Sequence, residues 1–267
     1  MGYVTDKVFV NGIEMEYLKF GRGQSNLVIL PGLSVRSVIP HAAAIVKQYD
    51  VFTDEYTVYL FDRRINIPPV YSISDMAKDT VQVMKKLDIC DVSLFGTSQG
   101  GMIAMAAALE YPELVRKLVL VSTTIHAAEN RCSVIKKWIT FAENKDREGL
   151  LLNIAEDVYS KEFFIRYREA FCALAKTVTD DELERFIIIA KGIEGFDIRD
   201  EVHKIKCPVL IASDDKDCIF DAAAAAEMRQ YFAANKKTET KIYSGFGHAL
   251  YDTAPDFTEL MYNFLKK

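Results

Sequence analysis

The sequence has no CxxC pair, no basic stretch leading into an apolar run at its N-terminus, no apolar run of membrane-spanning length and no excess of positive charge. Each absence removes a class of protein. Five cysteines (Cys90, Cys132, Cys172, Cys207, Cys218) are scattered and odd in number, so they cannot all pair within one chain and are expected to be reduced thiols. A formal net charge of -5 argues against nucleic acid or an anionic membrane as partner. No leader is recognisable, and Asp6 stands where a myristoylation signal wants Ser or Thr, so a cytoplasmic protein is expected. Repeats and low-complexity linkers are also lacking, and no metal or cofactor is expected. What remains is 267 residues, half of them apolar, enough for one large domain or a domain with an insertion. Such a chain buries roughly three quarters of its unfolded surface. The expected partner is a small molecule; oligomeric state is not legible.

The most informative stretch is Val92-Ser93-Leu94-Phe95-Gly96-Thr97-Ser98-Gln99-Gly100-Gly101-Met102-Ile103-Ala104. An apolar strand runs through a glycine-flanked serine into a small-residue helix, the pattern of a nucleophile elbow. So sharp a turn strains the central residue and leaves no room for bulky neighbours, which Gly96 and Gly100 avoid. Ser98 would stand at a helix N-terminus, where free N–H groups favour developing negative charge. The same spacing also occurs in plain turns, but here the flanking strand and helix are both present.

Around this stretch the chain alternates. Asn11-Gly12 predicts a hairpin between Lys7–Val10 and Ile13–Phe20. Strands are predicted over Asn26–Leu30, Thr57–Phe61, Val92–Phe95 and Leu118–Val121, with helices over Val38–Tyr49, Ser74–Leu87 (Ser74 as N-cap) and Gly100–Glu110. From about Thr123 to Arg199 only helical periodicity is found: Ser133–Glu143, Arg147–Tyr159, Lys161–Lys176 and Asp180–Ile193, the last with an Asp N-cap. The alternation resumes with Val209–Ala212, Ala222–Phe232, Thr240–Tyr243 and Pro255–Leu265. This implies an α/β fold with a mainly parallel sheet and helices on both faces. Residues 1–122 and 200–267 would form the core and 123–199 a helical insertion.

A serine nucleophile needs a base, and a base needs an acid. Of four histidines, His248 follows the last strand in Ser244-Gly245-Phe246-Gly247-His248, where two glycines let a loop curl over the carboxyl edge of the sheet on which Ser98 stands. His203 lies among surface charges, His126 begins the insertion and His41 lies on the first crossover helix. After the strand Val209–Ala212 come Asp214-Asp215-Lys216-Asp217. Asp217, ahead of the apolar pair Ile219-Phe220, is the expected acid and Asp215 the alternative; all three could instead be turn formers. The strand ending at Val121 is followed by Ser122, Thr123 and Thr124 and offers no acid.

In the order serine, aspartate, histidine, and in Ile29-Leu30-Pro31-Gly32-Leu33-Ser34, Gly96-Thr97-Ser98-Gln99-Gly100, the Asp217 loop and Gly247-His248, the sequence resembles the α/β-hydrolase family over essentially its whole length. The resemblance implies an α/β-hydrolase fold, a cap or lid formed by the insertion, and an oxyanion hole from the main-chain N–H groups of Leu33 and Gln99. It departs from many relatives at Pro31, where they carry histidine, and at Asp62-Arg63-Arg64, which lacks the glycine of a comparable turn and is expected to be structural. The implied chemistry is acyl transfer on a small carboxylic ester or thioester. Carbon–carbon bond hydrolases, menaquinone-pathway lyases and prolyl peptidases resemble the chain equally at the triad, and a non-catalytic ligand receptor is the alternative of another class. Ser34, Trp138 and Phe141 are expected to line a substrate pocket, although aromatics at helical spacing, including Phe163, Phe164, Phe171 and Phe186, serve a core equally.

Overall fold

Asn11 and Gly12 take φ of 49° and 77°, the two positive values a tight hairpin turn requires, and join β1 (Tyr3–Val10) to β2 (Ile13–Gly21). The computed structural model describes residues 2–127 and 132–267. Six further strands follow: β3 (Ser25–Leu30), β4 (Tyr56–Arg64), β5 (Val92–Thr97), β6 (Val115–Val121), β7 (Val209–Asp214) and β8 (Thr238–Tyr243). They form one sheet in the order β1-β2-β4-β3-β5-β6-β7-β8. β2 is antiparallel to both β1 and β4, and every other neighbouring pair is parallel.

Strand residues alternate between two apolar layers. Val28, Leu30, Leu94, Leu118 and Leu120 face one cluster, shared with α2 (Ile73–Lys86), α3 (Gln99–Glu110) and α8 (Ala222–Phe232). Leu27, Ile29, Phe95, Val119 and Val121 face the other, shared with α1 (Ala42–Gln48), α9 (Leu250–Thr253) and α10 (Phe257–Lys266). The period of two along each strand is what puts helices on both faces of the sheet.

Between β6 and β7 lie α4 (Ser133–Glu143), α5 (Arg147–Val158), α6 (Lys161–Ala175) and α7 (Asp180–Lys191). Among the described residues this region adds no strand to the sheet and holds one isolated bridge, His126 to Asp197. Its apolar residues Ile135, Trp138, Leu150, Leu183 and Phe186 are continuous with the first layer, so the insertion is packed onto the core.

Several boundaries differ from the sequence expectation for local reasons. Ser72, not Ser74, caps α2, because Asp75 completes a capping box with it while the Ser74 hydroxyl donates to Glu110. Likewise Thr179, not Asp180, caps α7, with Glu182 as its box partner. The first crossover helix is split: Ile39–His41, holding Pro40, form a 3₁₀ turn before α1. The closing helix, α10, begins at Phe257 rather than Pro255, and a separate short helix, α9, precedes Pro255. β4 continues through Asp62, Arg63 and Arg64, because pairing of Arg64 with Met15 extends it past its apolar part.

Candidate active site

The strand order fixes where a site can form. β3 pairs in parallel with β5, Leu30 opposite Gly96, while the chain runs from β3 to β4 on one side and then crosses to β5 on the other. The loops leaving β3 and β5 therefore face each other across this switch point at the carboxyl edge of the sheet.

Ser98 is the turn between β5 and α3, at φ 51° and ψ −122°, a conformation an L-residue holds only under constraint. The surrounding glycines make it possible. A Cβ on Gly96 would overlap the carbonyl of Gly100, and one on Gly100 would overlap the carbonyl of Leu30. A Cβ on Gly32 would stand 3.2 Å from the Ser98 Cβ, which shows how closely the β3 loop approaches the serine. The N–H groups of Leu33 and Gln99 meet no acceptor among the described residues, so both are available to a ligand.

His248 lies beyond β8, in a loop that turns at Gly245 and Gly247 with φ of 87° and 71°. It is 4% exposed, and its Nδ1 is 2.8 Å from Oδ2 and 3.0 Å from Oδ1 of Asp217, itself 5% exposed. A carboxylate only accepts, so Nδ1 carries a proton, and in the neutral imidazole Nε2 is the nitrogen that keeps its lone pair. Asp217 is held in turn by the N–H groups of Ile219 and Phe220, which donate to Oδ1 at 2.8 and 3.0 Å. Asp215 is exposed and accepts from the Ser244 hydroxyl at 3.1 Å. Thus the carboxylate that reaches His248 is that of Asp217, not Asp215. His41 and His203 are exposed, and His126 sits in its bridge with Asp197.

The residues expected to line a pocket are placed differently from one another. The Ser34 hydroxyl donates to the Arg36 carbonyl at 2.9 Å, closing its own turn. Trp138 is 4% exposed and its indole N–H donates to Asp157 at 2.9 Å, which binds α4 to α5. Phe141 is half-buried against the same layer, beside Gly149.

Three residues that the sequence offered only as a turn former, a structural position and a non-acidic loop residue hold this site together. Asp214, the last residue of β7, is buried and accepts from the N–H groups of Lys216, Gly245 and Phe246, so it ties the acid loop to the histidine loop. Arg63, 5% exposed, donates through Nη2 to the carbonyl of Pro31 at 2.8 Å, that of Gly32 at 3.4 Å and Oε1 of Gln99 at 2.8 Å. Burial draws its guanidinium down to about 10, opposed by the charge of Asp62. Thr123 donates to the Ser98 carbonyl at 2.7 Å. The available signal for Arg63 was a run of three charged residues, Asp62-Arg63-Arg64, directly continuing an apolar strand, a pattern shared with ordinary turns.

The insertion is fastened to the same place. Arg36, just past the β3 loop, forms a two-pronged ion pair with Glu182 of α7, at 2.9 and 3.1 Å. Burial opposes ionisation of Glu182, but the bonds from Arg36 and Thr179 outweigh it and hold the carboxyl below its ordinary value. Arg185 of α7 donates to buried Asp62 at 3.1 Å, and the Gln99 side-chain amide donates to the Ile189 carbonyl at 2.8 Å. Among the described residues, no three His, Cys, Asp or Glu side chains gather as a metal-binding group, and no helix is long and apolar enough to cross a membrane.

Comparison with known proteins agrees with this architecture. The profile of the alpha/beta hydrolase fold family matches residues 26–146, and that of the dienelactone hydrolase family matches residues 193–263. The serine hydrolase BPHL of Mus musculus is 28% identical over 231 residues, spanning 79% of this chain and 69% of its own. The putative carbamate hydrolase RutD of Escherichia coli O9:H4 (strain HS) is 26% identical over 231 residues, spanning 82% and 84%. Among solved structures, the alpha/beta hydrolase MGS-M2 from a Medee basin deep-sea metagenome library superposes with a TM-score of 0.87 at 19% identity, covering 98% of both chains. The enol-lactonase of Burkholderia xenovorans LB400 does so with a TM-score of 0.83 at 18% identity, covering 98% of this chain and all of the other. Sheet order, elbow and family profiles together establish that the chain belongs to the α/β-hydrolase superfamily and is a hydrolytic enzyme.

Proposed function

We propose that the protein is a serine-dependent hydrolase acting by acyl transfer on a small carboxylic ester or thioester. The observation that carries this reading is the buried Asp217–His248 pair, at 2.8 Å, on the sheet edge where Ser98 occupies a strained elbow. His248, with Nδ1 committed to Asp217, takes the Ser98 proton at Nε2; Ser98 attacks the carbonyl, and the N–H groups of Leu33 and Gln99 receive the oxyanion. Collapse of the tetrahedral intermediate breaks the ester C–O or thioester C–S bond, and His248 gives its Nε2 proton to the departing alcohol or thiol. Water, deprotonated in turn by His248, attacks the acyl-Ser98, and collapse of that second intermediate returns the proton to Ser98 and frees the acid. Relatives named as a serine hydrolase and a putative carbamate hydrolase, and a structural neighbour named as an enol-lactonase, support a carbonyl-centred substrate. Helices α4–α7 act as the cap that admits it. All five cysteines are unpaired, which supports a reducing compartment such as the cytoplasm. The test is reaction with a fluorophosphonate probe followed by a panel of p-nitrophenyl esters and acyl thioesters. Labelling confined to Ser98 with turnover of at least one ester class is expected; a folded protein that neither labels nor turns over would make it a ligand-binding member of its fold.

A further inference from the structure

We propose that Arg63 and Thr123 are positioning residues that aim the two oxyanion donors by gripping the carbonyl end of each donor's own peptide unit. The inference rests on the reading of Ser98 as nucleophile and adds to it what sets the geometry of the hole.

The argument is one of peptide stereochemistry. No peptide bond in the described chain is cis, and in a trans unit the C=O of one residue and the N–H of the next point in opposite directions within one rigid plane. A group that fixes the carbonyl therefore fixes the direction of the N–H behind it. For the Leu33 N–H the relevant carbonyl is that of Gly32, and for the Gln99 N–H it is that of Ser98. Arg63 Nη2 lies 3.4 Å from the Gly32 carbonyl oxygen and 2.8 Å from that of Pro31, so both peptide units leading to Leu33 are drawn toward the guanidinium. The Leu33 N–H is thereby turned away from Arg63. Thr123 Oγ1 donates to the Ser98 carbonyl at 2.7 Å, alongside the N–H groups of Gly101 at 2.9 Å and Met102 at 3.3 Å. The Gln99 N–H is turned the other way.

The two grips are joined. Arg63 Nη2 also donates to the Gln99 side-chain oxygen at 2.8 Å, and the Gln99 amide nitrogen donates to the Ile189 carbonyl at 2.8 Å, so the residue carrying the second donor is held through both polar atoms of its side-chain amide. Little room exists for either grip to slacken. Arg63, Gln99 and Thr123 are all buried, and a Cβ on Gly101 would come within 2.7 Å of the Thr123 side chain. The loop through Gly32 bears one donor and a helix terminus the other. Without an external constraint the first could rotate its peptide plane freely.

The test uses four variants of the full chain: Arg63→Met, Arg63→Lys, Thr123→Val and Thr123→Ser. Each is measured for kcat and KM on an ester the wild type cleaves, and for the inhibition constant of a trifluoromethyl ketone, whose Ser98 adduct carries a tetrahedral oxyanion. Aiming a donor matters in the transition state and hardly at all in ground-state binding, so kcat is expected to fall about 100-fold in Arg63→Met and about 10-fold in Thr123→Val, with KM within about twofold. Trifluoromethyl ketone affinity should fall by the same factors. Thr123→Ser restores the hydroxyl and should recover to within about twofold of wild type, whereas Arg63→Lys keeps the charge but loses the fork and should stay at least about fivefold below it. Removing a buried charge can unfold Arg63→Met; Arg63→Lys, which keeps the charge, then decides for Arg63, and the isosteric Thr123→Val, with Thr123→Ser as its control, decides for Thr123. Folded variants with wild-type kcat, a loss confined to KM, unchanged ketone affinity, or a wild-type Arg63→Lys would each overturn the proposal. Failure of the wild type itself to react with a fluorophosphonate would overturn the nucleophile reading first, and this inference with it.

Discussion

Asp217→Asn is the most discriminating single substitution, because the surroundings of the carboxylate dictate how an amide must sit there. Oδ1 accepts from the N–H groups of Ile219 and Phe220 at 2.8 and 3.0 Å, while Oδ2 faces His248 Nδ1 at 2.8 Å. An asparagine that placed its NH₂ toward the two N–H groups would leave buried donors without acceptors, at about 1–3 kcal/mol each. The amide oxygen therefore stays at Oδ1 and the NH₂ turns to His248. Two donors cannot face each other, so the imidazole must move its proton from Nδ1 to Nε2, the nitrogen that should receive the Ser98 proton. Reaching the productive tautomer again requires the flipped amide, at roughly 2–6 kcal/mol for the two donors together, and each 1.36 kcal/mol is tenfold in rate. A fall in kcat of about 10²- to 10⁴-fold follows, with KM little changed. The assay is steady-state and burst kinetics on a p-nitrophenyl ester, beside a melting curve showing that the variant is folded. A variant within tenfold of wild type would refute the tautomer argument, and a collapse in Asp215→Asn instead would move the acid to Asp215.

Ser98→Ala should remove fluorophosphonate labelling and at least about three orders of magnitude of hydrolysis while leaving the melting temperature near wild type, since a methyl group fits the elbow. Asp215→Asn, at an exposed position, should stay within about twofold of wild type in rate; Asp214→Ala, which strips three main-chain N–H groups of their acceptor, should lower both stability and kcat, as a denaturant midpoint and initial rates would show. Trp138→Ala is expected to cost about 3–5 kcal/mol of stability, read by urea unfolding, yet to keep Ser98 labelling in whatever fraction remains folded; loss of labelling in fully folded protein would make Trp138 part of the site. Glu182 is held below its ordinary value when folded, so the stabilisation from its pair with Arg36 is complete above the unfolded value and is lost as pH falls through the folded one. The stability gap between wild type and Glu182→Gln should accordingly close on acidification, and a gap that persists unchanged in acid would count against that pair as the cause.

Much of the fold was present in local pattern. The Asn11-Gly12 hairpin, the alternation of strands and helices, the helical stretch before β7 and the glycine-flanked Ser98 each depend on residues close in the chain, whose periodicity and conformational demands can be read one segment at a time. Where two neighbouring residues could both serve, as with Ser72 and Ser74 or Thr179 and Asp180, the side chain three positions on decided, through a capping box that composition alone had not resolved. Other matters belonged to tertiary structure. Asp214, Asp215 and Asp217 are nearly equivalent as a sequence; only the meeting of the β7 and β8 loops gives Asp217 to His248, Asp214 to three main-chain N–H groups and Asp215, at the surface, to the Ser244 hydroxyl. Trp138 was an aromatic on a helix until α5 brought Asp157 to its indole. Arg63 looked like part of a turn because the groups that accept from its side chain, Pro31, Gly32 and Gln99, are more than thirty positions away and reach it only because β3 lies between β4 and β5 in the sheet. Hydrogen bonds of that span are set by strand order, and strand order is a property of the whole chain.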